Sequence, residues 1–327
     1  MNVNPKGQLY LGIDTSAYTT SLALVDQDEN LIFDKRLPLP VKEGNLGLRQ
    51  SEAVFAHILN LPLLLQDKIE AFENSALTAV AASTRPRPVE GSYMPVFKVS
   101  EALGLFLAQT QGLTFIPSSH QESHVMAGLW SAGLKQGRYL TMHLSGGTTE
   151  IISSEERSPG RLILTLLSGS TDLNAGQFVD RLGLAMGLGF PAGTKMEILA
   201  MNSSNNLLKL PIAVKGREIS FSGPASQAER YLKQGCRKED LARAIENCIA
   251  DSLSIAVSNL KVKNFEYQGL LAVGGVTANH YIRERLKQNL TRWKLFFAHP
   301  EYASDNAVGL AIQAARIIRA NQSGIND

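Results

Sequence analysis

Two histidines, His120 and His124, lie four residues apart in the segment His-Gln-Glu-Ser-His. Residues at positions i and i+4 share one face of an α-helix, and neutral imidazole is the commonest side-chain ligand of metal ions. Only six histidines occur in the whole sequence, so this spacing is a candidate metal site. The spacing alone fits two surface histidines equally well, and a third ligand from elsewhere in the chain would decide between the two interpretations.

Glu122 stands between the two histidines, but its position differs from that of the glutamate in the His-Glu-x-x-His motif of zinc proteases. At about 100° per residue, Glu122 projects away from both imidazoles and cannot act on a water molecule that they hold. Ser119 lies three residues earlier, which predicts a capping box at the start of a helix. We therefore expect a structural role for Glu122, and a metalloprotease activity is disfavoured.

Three predicted strands end in turns suited to binding phosphate or nucleotide. These turns are Gly-Ile-Asp-Thr-Ser at 12–16, Leu-Ser-Gly-Gly-Thr at 144–148, and Gly-Gly at 274–275. Glycine lets backbone N–H groups approach an anion closely, because no Cβ intervenes. Their order matches neither a P-loop nor a dinucleotide-binding Gly-x-Gly-x-x-Gly fingerprint. Since such turns follow strands in both halves of the chain, they predict a nucleotide in a cleft between two domains.

The composition is that of an ordinary globular protein. The chain has 327 residues, 44% of them hydrophobic and 19% charged, and the length suggests two domains. A net charge of +2 permits a nucleic-acid partner but does not require one. Cys236 and Cys248 are interpreted as reduced thiols. The sequence shows neither a signal peptide nor an apolar run of about 18 residues, so we expect a cytoplasmic protein and no membrane segment.

The elements that must position these residues follow a repeated order. The predicted strands are 9–13, 20–25, 31–33, 77–82, 113–116, 139–144, 149–153, 163–168 and 269–273, and the predicted helices are 52–72, 99–109, 175–186, 239–259 and 304–320. Residues 203–220 are polar and predict a loop-rich insertion. Two rounds of hairpin strands followed by crossover helices and further strands predict an α/β fold of two similarly built halves.

These motifs together resemble the TsaD family (also called Gcp, the former glycoprotease family) of the actin, sugar-kinase and heat-shock ATPase superfamily. The resemblance extends from about residue 9 to residue 319. It rests on the segments at 12–16, 120–124 and 144–147, and on Gly-Gln-Phe-Val-Asp at 176–180, Gly-Phe-Pro-Ala-Gly at 189–193, Ser-Phe-Ser-Gly at 220–223, Gly-Val-Thr-Ala-Asn at 275–279 and Ser-Asp-Asn at 304–306.

The resemblance implies two actin-like (ASKHA, ribonuclease H-like) domains with a nucleotide and metal cleft between them. Residues 1–137 would form the first domain, which the C-terminal helix at 303–327 would complete. Residues 138–302 would form the second domain, with a helical insertion. The implied activity is metal-dependent transfer of a threonylcarbamoyl group from threonylcarbamoyl-AMP to N6 of an adenosine beside the tRNA anticodon. The implied partners are tRNA, a paralogous subunit and an ATPase helper.

The resemblance also implies a role for individual residues. The ligands of an iron or zinc ion would be His120, His124 and Asp305. The bound acyl-adenylate would be lined by Ser145, Gly146 and Gly147. Its ribose and base would be held by Asp180, Gly193 and Asn279. Asp14, Thr15 and Ser16 are candidates for a part in catalysis. For Asp305 the residues alone allow another interpretation, in which Ser304 caps a helix and the carboxylate interacts with the helix dipole.

Several positions depart from the family pattern. Where the family typically carries Cys-Asp-Glu-Thr, this chain has Ala-Tyr-Thr-Thr at 17–20, so both acids are missing. Pro-Arg-Pro at 86–88 replaces a Gly-Pro-Gly loop, and Arg85 and Arg87 could contact phosphates or simply be solvated. Ala192 replaces the first glycine of a Pro-Gly-Gly element. The departures predict a divergent paralogue, which is either a transferase or a nucleotide- and metal-binding scaffold with impaired catalysis.

Overall fold

A computed structural model describes residues 7–41, 47–66, 75–204 and 208–324 of the chain. The end of the helix predicted at 52–72, from residue 67 onwards, lies outside the described residues. Among the described residues, no helix has both the length and the apolar character needed to cross a bilayer. Cys236 and Cys248 are both free thiols.

The first sheet has five strands. They are β1 (Gly7–Thr15), β2 (Thr19–Asp26), β3 (Leu31–Pro38), β4 (Ser75–Arg85) and β5 (Thr114–Ser119), in the order β3-β2-β1-β4-β5. The central strand β1 pairs antiparallel with β2 and parallel with β4. Seven consecutive residues of β1 are buried, as expected for a strand covered on both faces. Pro117 lies in the edge strand β5, where its missing N–H is tolerated.

The second sheet repeats this arrangement. Its strands are β6 (Arg138–Leu144), β7 (Thr149–Ser158), β8 (Arg161–Gly169), β11 (Leu270–Val273) and β12 (Leu295–Phe297), in the order β12-β11-β6-β7-β8. In both sheets, three antiparallel strands connected in sequence are followed by two parallel strands on the other side of the first strand. The predicted α/β fold of two similarly built halves is therefore confirmed.

Ten α-helices of the described residues surround the two sheets. They are α1 (Gln50–Leu65), α2 (Phe97–Gln111), α3 (His120–Ser131), α4 (Ala175–Ala185), α5 (Gly193–Met201), α6 (Ser222–Lys233), α7 (Lys238–Ser258), α8 (His280–Asn289), α9 (Pro300–Ala303) and α10 (Val308–Gln322). The predicted loop-rich insertion contains a short hairpin of β9 (Val214–Lys215) and β10 (Glu218–Ile219). The domain boundaries at 137 and 302 stay predictions.

The C-terminal helix α10 packs against the first sheet and against α3. A Cβ atom on Gly12 of β1 would lie 2.2 Å from the carbonyl oxygen of Ala307, and one on Gly309 would lie 1.9 Å from that of Ser123. Such approaches are possible only because glycine has no side chain. They hold the loop before α10 beside the first turns of α3, although the two segments are far apart in sequence.

Candidate metal and nucleotide site

Helix α3 begins directly after strand β5, and a capping box fixes its first residue. The hydroxyl of Ser119 accepts a hydrogen bond from the backbone N–H of Glu122 at 3.2 Å. In return, the Glu122 carboxylate accepts one from the backbone N–H of Ser119 at 2.9 Å. The predicted capping box is confirmed, and the Glu122 carboxylate is bonded at the start of the helix. His120 is thus the first helical residue, and His124 follows one turn later with the two Nε2 atoms 3.2 Å apart.

Asp305 brings a carboxylate to the two imidazoles. Its Oδ1 atom lies 3.3 Å from Nε2 of His124 and 3.5 Å from Nε2 of His120. The interpretation of Ser304 as the helix cap is wrong, because the helix begins at Val308 and Asp305 lies in the loop before it. The side-chain amide of Asn306 holds this loop by donating hydrogen bonds to two backbone carbonyls, at 2.8 and 3.0 Å.

Further polar groups orient these three side chains. Asp14 lies behind His120, with Oδ1 3.0 Å from Nδ1 of the ring. Ser16 donates a hydrogen bond from its hydroxyl to Oδ2 of Asp305 at 2.7 Å. Carboxylate or hydroxyl partners of this kind fix the rotamers of metal ligands.

Thr15 does not contact this cluster, because its buried hydroxyl donates a hydrogen bond to the carbonyl of Val96 at 2.8 Å. Of the three catalytic candidates, only Asp14 and Ser16 bond to members of this cluster.

The donor set fits a divalent metal ion. One ligand atom from each of His120, His124 and Asp305 lies within 4.8 Å of the other two. Two imidazole nitrogens and one carboxylate oxygen suit zinc or iron and leave coordination positions open. Without a metal ion, burial opposes charge on His120, but the carboxylates of Asp14 and Asp305 outweigh it and raise the pKa of that ring to about 10.

The pKa values of the neighbouring His124 and Asp305 are lowered instead. Burial lowers the pKa of His124, and the positive charge of His120 lowers it further. Burial alone would raise the pKa of Asp305, but the hydrogen bonds and charges of the two histidines hold it well below its usual range. A proton on His120, a neutral His124 and an ionised Asp305 therefore share this pocket, and a bound metal ion would replace that proton.

The turn after β6 forms another wall of the site. The backbone N–H of Ser145 donates to the carbonyl of Thr148 at 2.8 Å, and a Cβ atom on Gly146 or Gly147 would meet nothing within 4 Å. Below the turn, Gly176 in the first turn of α4 packs so closely that a Cβ there would lie 2.6 Å from the Ser145 carbonyl oxygen. An open glycine turn beside a helix N-terminus suits an anion.

One cavity is lined by most of the residues to which the family resemblance gives a role in nucleotide binding. It has a volume of about 310 Å³, and Gly146, Asp180, Gly193 and Asn279 all line it. The Asp180 carboxylate accepts a hydrogen bond from the backbone N–H of Ala192 at 2.8 Å, and burial raises its pKa. Asn279 caps α8 with its side-chain oxygen, which accepts from a backbone N–H at 2.8 Å.

A second cavity of about 540 Å³ adjoins the first. Ser145 and Gly147 line it together with Ser16, His120 and Asp305, and Gly146 borders both cavities. The two cavities therefore meet at Gly146, which lies between the candidate nucleotide residues and the candidate metal ligands. Each half of the fold contributes residues to their walls.

Sequence reasoning missed two residues of the cleft, Glu246 and His143. Glu246 lies on α7 and lines the smaller cavity, and its carboxylate accepts a hydrogen bond from the amide of Asn279 at 2.7 Å. His143 is in β6, and its ring centroid lies 4.7 Å from that of His124. Burial lowers the pKa of His143 well below its usual value, and the nearby His124 lowers it further. The sequence contains no distinguishing signal for either residue, because Thr141 is also polar in the strand of His143 and many polar residues accompany Glu246 in its helix.

Glu246 makes the stability of the protein depend on pH. Burial raises its pKa from 4.5 to about 7, although Asn279 and Arg243 oppose this shift. The folded protein therefore gains stability from the protonated carboxyl below pH 4.5, and this stability is lost as the pH rises to about 7. The free energy of unfolding changes by at most about 3 kcal/mol between these pH values.

We expect Glu246→Gln to remove this part of the pH dependence, because an amide does not ionise. Urea unfolding of both proteins at pH 5, 6, 7 and 8 would measure it. The free energy of unfolding of the wild type should fall relative to that of the variant across this range. A constant difference between the two proteins would contradict the prediction.

The fold and the site define an actin-like α/β protein of two similarly built halves, with a His–His–carboxylate cluster in the cleft between them. The chain belongs to the TsaD family, as its resemblance predicted. The family model described as "TsaD: tRNA N6-adenosine threonylcarbamoyltransferase" matches residues 47–312. Members of the family are tRNA-modification proteins, and its curated relatives carry names from tRNA threonylcarbamoyladenosine biosynthesis.

Two relatives and one solved structure illustrate the similarity. The chain is 30% identical to a tRNA N6-adenosine threonylcarbamoyltransferase of Archaeoglobus fulgidus over 92% of its own length and 88% of that protein. It is 27% identical to a probable bifunctional tRNA threonylcarbamoyladenosine biosynthesis protein of Methanothermobacter thermautotrophicus, covering 93% of this chain and 54% of that one. The (R)-2-hydroxyglutaryl-CoA dehydratase component A of Acidaminococcus fermentans aligns with a TM-score of 0.59 at 14% identity, over 95% of this chain and 99% of that one, which shows the shared fold alone.

Proposed function

We propose that the protein transfers a threonylcarbamoyl group from threonylcarbamoyl-AMP to N6 of an adenosine in tRNA, in a metal-dependent reaction. The observation that carries the proposal is that the two cavities share a lining residue. Gly146 borders both the cavity with the nucleotide residues and the cavity with His120 and Asp305. An adenylate in the first cavity would therefore present its acyl group to the second.

The reaction forms a bond between N6 and the carbamoyl carbon and breaks the bond from that carbon to the phosphate oxygen. AMP leaves with the electron pair, and N6 loses a proton. An iron or zinc ion at His120, His124 and Asp305 would supply a Lewis acid that polarises a substrate oxygen. The protein must hold the adenylate so that its acyl carbon faces the incoming amine, which is a task of positioning.

The binding roles follow from the chemistry of the lining groups. The open turn at Ser145, Gly146 and Gly147 offers the backbone N–H groups of its two glycines for the phosphate. The carboxylate of Asp180 can accept hydrogen bonds from the ribose hydroxyls, while Gly193 leaves room for the sugar. Asn279 would hold the base, together with Glu246, which also lines this cavity.

The alternative is a scaffold paralogue that binds nucleotide and metal without efficient catalysis. Tyr18 favours this alternative, because it places an aromatic ring in the 540 Å³ cavity at a position where the family pattern has an acid. The ring of Tyr18 packs against Phe190 with centroids 5.4 Å apart. Thr19 likewise replaces an acid at the start of β2.

A transfer assay separates these two functions. Purified, metal-loaded protein is incubated with threonylcarbamoyl-AMP, unmodified tRNA and the helper proteins of the pathway, and modified nucleoside is measured after digestion. We expect transfer by the wild type, and a rate about 10- to 100-fold higher for the double variant Tyr18→Asp, Thr19→Glu, because suitably placed carboxylates assist proton transfer. Asp305→Asn is the inactive control. Binding of the adenylate without transfer by either protein would favour the scaffold.

The proposed partners are tRNA, a paralogous subunit and an ATPase helper, and the proposed location is the cytoplasm. The free thiols of Cys236 and Cys248 support a reducing compartment. For tRNA, Arg85 is the exposed candidate for phosphate contacts, since Arg87 is already paired with Glu150 at 2.8 Å. The salt dependence of tRNA binding would measure such contacts.

A further inference from the structure

Unsatisfied polar atoms are concentrated around one cavity. Within the part of the chain that the structure describes, six buried side-chain nitrogen or oxygen atoms lack a hydrogen-bond partner, and they belong to Asp14, Gln50, Arg87, His124 and His143. Three of these residues line the 540 Å³ cavity, and the other two are a metal-ligand candidate and the carboxylate behind His120. Buried polar groups without partners are rare in folded proteins, so such a concentration makes this cavity a candidate ligand-binding site.

His143 is the most informative member of this set. It is 1% exposed, and both of its ring nitrogens lack a partner. The ring lines the cavity next to His124, but His143 is not part of the three-residue ligand cluster. An imidazole offers one donor and one acceptor when neutral, and leaving both unused in the interior costs stability. A ligand in the cavity would use them.

Arg87 reaches the same cavity from the loop after β4. Its terminal nitrogen pairs with Glu150 at 2.8 Å, and Glu150 also accepts a hydrogen bond from the amide of Gln121 at 2.6 Å. These contacts fix the guanidinium, yet its buried Nε–H remains without a partner. Glu150 lies directly opposite His143 in the β6–β7 pairing, so the two side chains share one face of the sheet.

We propose that the 540 Å³ cavity receives the acyl group of the adenylate, and that His143 and the Nε–H of Arg87 form hydrogen bonds with oxygen atoms of that group. This inference rests on the proposed function and adds two residues that select the acyl part of the substrate. The nucleotide part lies beyond Gly146 and would not touch either side chain. His143 and Arg87 should therefore matter for an acyl-adenylate and not for AMP.

The experiment compares two ligands on the metal-loaded full-length protein by isothermal titration calorimetry. One ligand is a non-hydrolysable analogue of threonylcarbamoyl-AMP, and the other is AMP. The variants are His143→Leu, His143→Gln and Arg87→Met, with Arg85→Met as the matched control, because Arg85 lies two residues away and does not line the cavity. Metal content and the thermal unfolding midpoint are measured for every protein.

We expect His143→Leu and Arg87→Met to weaken the acyl-adenylate analogue about 5- to 20-fold and AMP less than about 2-fold. His143→Gln should keep most of the affinity, since an amide also donates and accepts, and Arg85→Met should bind like the wild type. His143→Leu should unfold at the same temperature as the wild type or higher, because leucine removes two unsatisfied nitrogens. A structural role would instead lower the unfolding temperature.

Three results would overturn the inference. These are unchanged affinity of the variants for the acyl-adenylate analogue, an equal loss for AMP, or a loss of bound metal from His143→Leu. The last result would make His143 a metal ligand. If the wild type itself binds the analogue no better than AMP, the proposed function fails. If the wild type prefers the analogue and the variants keep this preference, only the role of His143 and Arg87 fails.

Discussion

Replacing His124 by alanine is expected to lower the affinity for a divalent metal ion more than about 100-fold, because even partners behind a ligand contribute about 10- to 100-fold. His124 is almost fully buried, and its Nε2 atom lies within 3.3 Å of both other candidate ligands. Alanine would leave one imidazole and one carboxylate, which hold zinc or iron weakly.

The measurement is metal content after dialysis, together with titration of the metal-free protein by zinc, and by ferrous iron under anaerobic conditions. His299→Ala is the matched control, because His299 is exposed and is not a member of the ligand cluster. The control should keep the metal content of the wild type. If His124→Ala also kept it, the assignment of His120, His124 and Asp305 as ligands would be wrong.

Gly309→Ala is expected to disrupt the same site without changing any ligand. The new Cβ would lie 1.9 Å from the carbonyl oxygen of Ser123, which is a backbone atom of α3 and cannot rotate away. Helix α10 would have to move away from α3, and Asp305 would move with it, away from His120 and His124. We expect a loss of about 3 kcal/mol or more in the free energy of unfolding, at the upper end for overpacked interiors.

Chemical denaturation measures the stability of this variant, and zinc titration of the folded protein measures its metal affinity. Gly223→Ala is the matched control, because Gly223 is also helical and a Cβ there meets nothing within 4 Å. That variant should be as stable as the wild type or up to about 1 kcal/mol more stable, from helix propensity. Equal behaviour of the two variants would show that the contact between α10 and α3 does not position Asp305.

Local sequence signals predicted much of the fold. The alternation and apolar runs of β1, β2, β4, β6 and β7 matched the observed strands, although the ends were displaced by a few residues. The capping box at Ser119 and Glu122 was predicted correctly, because its residues lie within one turn of each other and their geometry is local. The start of α10 was wrong, since Ser304 and Asp305 look like a helix cap but Asp305 faces two histidines instead.

What the sequence determined by itself were features that depend on near neighbours: two similarly built α/β halves, a pair of imidazoles on one helical face, and the glycine turns after β6 and β11. The turn predicted at 12–16 was wrong, because residues 12–15 belong to strand β1 and Gly12 packs against α10. Only the tertiary structure decided which residues from distant parts of the chain contact these features. Asp305 joins His120 and His124 because Gly12 and Gly309 let α10 approach β1 and α3. His143 is recognised as a functional candidate only when its unpartnered nitrogens are seen beside the cavity. Contacts of this kind depend on packing between distant segments, which no local periodicity encodes.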